Sequence, residues 1–195
     1  MRQRVILASA SPRRKQLLEQ IDLEFEVIPS RAEERLLPNE TPEEHVVRLS
    51  IVKATEVAER QDVDGRWVIG SDTIVLCDGQ ILGKPLDQIH AAEMLRSLSG
   101  REHRVLSGYA ILDRQTGEQR AEAVSTRVFF RQLTDEEIAR YIATGEPLDK
   151  AGSYAIQGRG VCFVASIEGS YTNVVGLPLC RLTLALKELG VPLPI

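Results

Sequence analysis

Cysteine is scarce. There are three in 195 residues, Cys77, Cys162 and Cys180, far apart and in no C-x-x-C pair, which excludes a disulfide framework and a zinc knuckle. All three are expected to be buried small side chains. Histidine is as rare: His45, His90 and His103 are scattered, no Cys/His pair has informative spacing, and no serine-hydrolase elbow occurs, so covalent catalysis has little support. No apolar stretch approaches the roughly 18 residues of a membrane span, and the N-terminus carries no long apolar signal core. A cytoplasmic protein with no membrane partner is expected. Positive charge is not in excess either, since 24 Lys and Arg against 28 Asp and Glu leave a net charge of -4. That argues against a sequence-independent grip on nucleic acid, so the basic residues are read as local sites and not as a field.

What is present is a chain with 43% hydrophobic residues, enough for a packed core, and no repeat, low-complexity segment or linker that would split it. One domain over 1–195 is expected. The order of elements begins with a strand from Val5, a tight loop, and a helix opened by Pro12 with apolar positions Leu17, Leu18 and Ile21. A short strand at Phe25-Glu26-Val27-Ile28 and a charged loop at 31–35 follow. Thr41-Pro42-Glu43-Glu44 is a capping box opening a helix to about Arg60. Its core stripe is read as Val47, Ile51, Ala54 and Ala58, with Val46, Leu49 and Val57 as a second apolar row that contains Lys53. Asp78-Gly79 predicts a hairpin whose second arm ends in Gly83-Lys84-Pro85. Asp87 caps a helix with Ala91, Leu95 and Leu98 on one face. Strands are predicted over 104–112 and 122–131, a second capping box at Thr134 opens a helix closed by Gly145, and a strand is read at 161–164. The last helix carries Leu179, Leu182, Leu186 and Leu189.

Several residues break these patterns in ways that point to chemistry. Ser11 can cap the first helix, whose exposed N–H groups attract anions, and Arg13 and Arg14 add full positive charges where acidic residues are usual. Asp72 interrupts the apolar run from Trp67 to Cys77, and a carboxylate there is costly unless it meets cations or a metal. Lys53 lies in an apolar row, and Lys84 ends a strand arm. Two short glycine patterns fail on context. The Gly79–Lys84 spacing is one residue short of a phosphate loop, and Gly158-Arg159-Gly160 leads into a strand where a dinucleotide fingerprint would need a helix. The stretch 146–160 is too rich in glycine and charge for a core element yet too apolar for a floppy loop, and is expected to be ordered and ligand-facing. Together Arg13, Arg14, Lys53, Lys84 and Lys150 with Glu34, Asp72 and Asp149 form an inventory for holding a polyphosphate with a hard metal.

Ser9-Ala10-Ser11-Pro12-Arg13-Arg14, Gly70-Ser71-Asp72-Thr73, Gly83-Lys84-Pro85, Glu146 to Gly152 and Val175-Gly176-Leu177-Pro178 occur in the order found in the Maf family of nucleoside triphosphate pyrophosphatases. The sequence resembles that family nearly end to end, and within it the branch acting on dTTP and UTP. The resemblance implies an elongated mixed α/β fold with flanking helices, two lobes around a cleft, similar to inosine triphosphatases. It implies conversion of a nucleoside triphosphate to the monophosphate and pyrophosphate with a divalent cation, Mg2+ or Mn2+. On matching positions Asp72 would be the catalytic proton acceptor, and Arg13, Thr73 and Gln157 would set substrate preference. Lys53, Lys84 and Ser11 would join them around the substrate, with Glu34 and Asp72 as the carboxylates for the metal. Ala10 falls where relatives vary. The same resemblance leaves two other readings, the branch that hydrolyses 7-methylguanosine triphosphate and a non-catalytic regulator of septum formation. A homodimer is left open.

Overall fold

The computed structural model describes residues 3–194. Its elements alternate as the patterning predicts: β1 (Val5–Leu7), α1 (Pro12–Glu19), β2 (Phe25–Val27), α2 (Pro42–Ala58), β3 (Trp67–Cys77), β4 (Gln80–Leu82), α3 (Gln88–Leu98), β5 (Glu102–Asp113), β6 (Gln119–Phe130), α4 (Asp135–Ala143), β7 (Val164–Glu168), α5 (Tyr171–Val175) and α6 (Leu179–Glu188). The strands form a seven-stranded mixed sheet in the order β2-β1-β3-β5-β6-β7, with β4 paired to β3. β1 lies parallel to both β2 and β3, whereas β3–β4 and β6–β7 are antiparallel. The fold is therefore mixed α/β with flanking helices.

The chain divides into two compact units, one of residues 1–72, 107–124 and 176–195, the other of 73–106 and 125–175. In the first, Ile6, Ala8, Ala54, Val57, Ala58, Val63, Val68 and Ala110 form a buried cluster between α2 and the sheet. Helix α2 approaches closely because two strands offer it glycine. A Cβ on Gly70 of β3 would stand 2.1 Å from Ser50 O, and one on Gly108 of β5 would stand 2.2 Å from Val46 O. That seam explains a departure from the sequence reading. Val46, Leu49, Ser50 and Lys53 are buried together with Ala54, Val57 and Ala58, while Val47 and Ile51 are only half-buried. Ser50 survives burial because its hydroxyl donates to Val46 O at 2.6 Å.

In the second unit α3 buries Ala91, Met94, Leu95 and Leu98 and α4 buries Ile138, Tyr141 and Ile142. His103, Phe130, Tyr141, Tyr154 and Phe163 make a chain of edge-to-face ring contacts. Both capping boxes form, and Asp78 and Gly79 turn the β3–β4 hairpin with φ of 49° and 77°.

Other boundaries moved. β3 runs unbroken through Ser71-Asp72-Thr73, because Ser71 donates to Gly108 O at 2.8 Å and Asp72 has a cationic partner, so neither polar side chain has to break the strand. Ile21 falls beyond the end of α1. Residues 159–163 form a short 3-10 helix, and the strand read at 161–164 begins only at Val164. Helix α5 was not foreseen, its five residues being too few for a periodic signal. Cys77 is buried as expected, but Cys162 and Cys180 are exposed. They sit on short helices whose buried positions are Gly160 and Phe163, and Leu182, Ala185 and Leu186.

Candidate active site

The first unit gathers a cation between two carboxylates. Lys53 projects from α2 beside the glycine seam, and Gly70 and Asp72, two apart on β3, share the strand face that α2 covers. Lys53 Nζ lies 2.7 Å from Asp72 Oδ1 and 2.5 Å from Glu34 Oε1. The lysine and Asp72 are each 7% exposed. Glu34 comes from an exposed loop and keeps about half its side-chain surface, at 54%. A lysine that the sequence pattern would equally allow to snorkel outward is instead turned inward onto a buried carboxylate.

The loop that carries Glu34 is tied to α2. Arg48 grips Glu40 with Nε at 2.5 Å from Oε1 and Nη2 at 2.8 Å from Oε2, and the same Nη2 donates to Arg35 O at 2.8 Å. His45 Nδ1 adds a contact to Glu40 at 3.0 Å. The Arg48 guanidinium pulls the Glu40 carboxyl down to about 2, against the opposing effect of burial, with His45 and Leu37 N–H assisting. Arg48 in turn is raised by Glu40 and, more weakly, by the field of Asp72. None of Glu40, His45 or Arg48 stands out in the sequence. The only signal available was a carboxylate directly before a capping box.

At the start of α1, Ser11 accepts from Arg14 N at 3.5 Å and Pro12 occupies the first turn. Arg13 is half-buried on that turn. Arg14 has a structural use that the sequence reading did not separate from phosphate binding. Its Nε donates to Gly176 O at 2.9 Å, and its Nη1 to Ser9 Oγ at 3.0 Å and to Ser71 O at 2.9 Å, next to Asp72. Burial pulls its guanidinium below the ordinary arginine value, and the fields of Asp72 and Glu34 work the other way.

The remaining candidates belong to the second unit. Thr73 follows Asp72 on β3 and is half-buried. Lys84 is exposed two residues past β4, and the preceding Gly83 O accepts from Gly152 N at 3.1 Å. Gln157 is exposed in a turn closed by Gly158 N to Ala155 O at 3.2 Å. Lys150 pairs with Asp149. Thus Glu34, Lys53 and Asp72 are brought together, whereas Ser11 serves its helix and Arg14 its neighbouring loops.

Two carboxylates sharing one ammonium in a mixed α/β fold make a site of hard oxygen donors, the class that suits hard cations. Comparison narrows the class. The model of the family described as Maf-like protein matches residues 4–189, and the chain belongs to that family. It is 62% identical over 186 residues to the dTTP/UTP pyrophosphatase of Syntrophotalea carbinolica, covering 95% of this chain and 84% of that one. It is 54% identical to the dTTP/UTP pyrophosphatase of Geotalea uraniireducens, covering 95% of each. A solved nucleoside-triphosphatase / dITP/XTP pyrophosphatase from Mycobacterium abscessus superposes over 95% of this chain and 94% of that one with a TM-score of 0.44 at 14% identity, too loose a likeness to argue from. No helix among the described residues is long and apolar enough to cross a membrane.

Proposed function

We propose that the chain hydrolyses nucleoside triphosphates, dTTP and UTP ahead of the others, to the monophosphate and pyrophosphate with a divalent cation. The observation that carries the reading is the buried Asp72 carboxylate held at 2.7 Å by Lys53, which also holds Glu34. Relatives named dTTP/UTP pyrophosphatase over nearly the whole chain support the substrate.

In this reading Asp72 takes a proton from water as its oxygen attacks the α-phosphorus, and the bond from that phosphorus to the bridging oxygen breaks. The electron pair leaves on pyrophosphate. Lys53 occupies Oδ1 and keeps the carboxylate aimed, so Oδ2 is the oxygen left to receive the proton. Arg13 and Lys84 neutralise charge on the departing phosphates, and Thr73 and Gln157 meet the base. A carboxamide offers both a donor and an acceptor to the carbonyl and N–H edge of uracil or thymine. Among the described residues no three His, Cys, Asp or Glu side chains converge on a ready metal cage. Glu34 and Asp72 nevertheless fit Mg2+ or Mn2+ in kind, because their oxygens are hard and such a cation typically takes one or two carboxylates and completes its shell with water and phosphate. When bound it would supply Lewis-acid charge at the phosphates.

A pyrophosphate-release screen over common nucleoside triphosphates and 7-methylguanosine triphosphate, with Mg2+ and with Mn2+, tests this. Highest kcat/KM for dTTP and UTP is expected, and equal use of purines and pyrimidines would refute the preference. Hydrolysis in 18O-labelled water should place the label in the monophosphate. Label in pyrophosphate would move the attack away from the α-phosphorus.

A further inference from the structure

The segment that presents Gln157 is built around a single carboxylate that the proposed reaction does not use. Glu146 Oε1 accepts from the Tyr141 hydroxyl at 2.7 Å and from Gly160 N at 3.2 Å, while Oε2 accepts from Arg159 N at 3.0 Å. The Tyr141 hydroxyl accepts from Ala155 N at 3.2 Å. Three backbone N–H groups, one before Gln157 and two after it, therefore end on one phenol–carboxylate pair. The glycines of the segment answer to the same pair. A Cβ on Gly158 would lie 2.3 Å from Glu146 Oε1, and one on Gly160 would lie 2.8 Å from the Tyr141 hydroxyl oxygen. Ala155, Ile156 and Gly160 are buried, whereas the Gln157 side chain between them is exposed. Burial works against ionisation of Glu146, but its N–H donors, the phenol and Lys150 together hold the carboxyl below its ordinary value. It is an ionised anchor at neutral pH.

A carboxamide can select a base only if the backbone beneath it holds it within about half an ångström of the productive position. We propose that Glu146, acting with Tyr141, is a positioning residue for base selection, fixing the backbone that presents Gln157 to the nucleobase. The inference rests on the base-reading role given to Gln157 above. Triphosphate contacts come from other residues, so loosening this pair should relax the choice of base and leave phosphoryl chemistry running. Glu146→Gln keeps the shape but sets an amide N–H2 against a donor, and Tyr141→Phe removes the hydroxyl that links Ala155 N to the carboxylate.

The test uses the full chain and reads kcat and KM for dTTP and dATP in the wild type, Gln157→Ala, Glu146→Gln, Tyr141→Phe and the double variants with Gln157→Ala. The dTTP-to-dATP ratio of kcat/KM should fall about threefold to tenfold in Glu146→Gln and in Tyr141→Phe. The change should appear in KM for dTTP, and neither substitution should lower the ratio further once Gln157 is alanine. An unchanged ratio in both single variants, where Gln157→Ala lowers it, overturns the positioning role. Equal losses on both substrates, as a merely structural role would give, do the same, and so do multiplicative losses of selectivity in the double variants. If Gln157→Ala itself leaves the ratio intact, the base-reading role fails first and takes this proposal with it, an outcome that arm identifies by itself. Should Glu146→Gln not fold, Tyr141→Phe decides.

Discussion

Gly70→Ala tests whether the close approach of α2 to β3 is what sets Lys53 on Asp72. The added Cβ would stand 2.1 Å from Ser50 O, 2.8 Å from Ala54 N and 3.1 Å from Ala54 Cβ, where ordinary contact begins at 3.4 Å. Two of those neighbours are helix backbone and cannot rotate aside, so α2 must retreat by about 1 Å or the strand must bow by as much. Lys53 sits between Ser50 and Ala54 on that helix, and a retreat of about 1 Å carries its 2.7 Å contact with Asp72 beyond the reach of a hydrogen bond. Overpacking of this kind costs about 1–3 kcal/mol of stability. A displacement of that size at a catalytic group costs on the order of a hundredfold in rate. Urea unfolding and steady-state pyrophosphate release on the same preparation separate the two effects. Stability lower by about 1–3 kcal/mol with kcat/KM down about a hundredfold is expected. A variant that is destabilised by that amount yet keeps wild-type kcat/KM would refute the argument that the seam aligns the pair.

Arg14→Lys keeps the charge but cannot reach Gly176 O, Ser9 Oγ and Ser71 O together. A loss of about 2–3 kcal/mol in urea unfolding, with activity reduced in folded protein, is expected, and unchanged stability would show the fork to be dispensable. Acid stability should fall in two windows. Burial lowers His103 from 6.5 to about 4, so the unfolded chain takes up that proton first as pH falls. Its contribution, complete above pH 6.5, is lost between 6.5 and about 4 and amounts to about 3 kcal/mol. His103→Phe should flatten that limb of the urea midpoint against pH. Glu40, depressed to about 2 from 4.5 chiefly by Arg48, stabilises fully above pH 4.5 and loses that contribution as pH falls towards 2. Glu40→Gln should flatten this lower limb only, and an unchanged slope in either variant would contradict the assignment.

The sequence was most legible where a residue violated its local pattern. Asp72 in an apolar strand and Lys53 in an apolar helical row each conflicted with burial, and the structure resolves the two conflicts with one contact. Glu34 entered only as one loop carboxylate in a wider inventory, and its metal role came from resemblance, since a carboxylate in a charged loop violates nothing. Arg14 looked equivalent to Arg13, because local sequence does not say which carbonyls a guanidinium will meet 57 or 162 residues away. The buried face of α2 was misjudged for a related reason. Ala54 and Ala58 of the stripe read from periodicity are buried, but Val47 and Ile51 are only half-buried, and the packing instead takes in Ser50, which with Ala54 fits against glycines on two distant strands. Glu146 and Tyr141 were hidden because their partners are backbone N–H groups, which leave no trace in side-chain patterning.

Asp72→Asn tests whether Asp72 is the proton acceptor of a nucleoside triphosphate hydrolysis. The change is nearly isosteric, and Lys53 keeps Glu34 as a partner. The measurement is kcat for pyrophosphate release from dTTP in protein whose urea unfolding shows it to be folded. A fall on the order of a hundredfold or more is predicted. Turnover within a few-fold of wild type in the folded variant would rule Asp72 out as the proton acceptor.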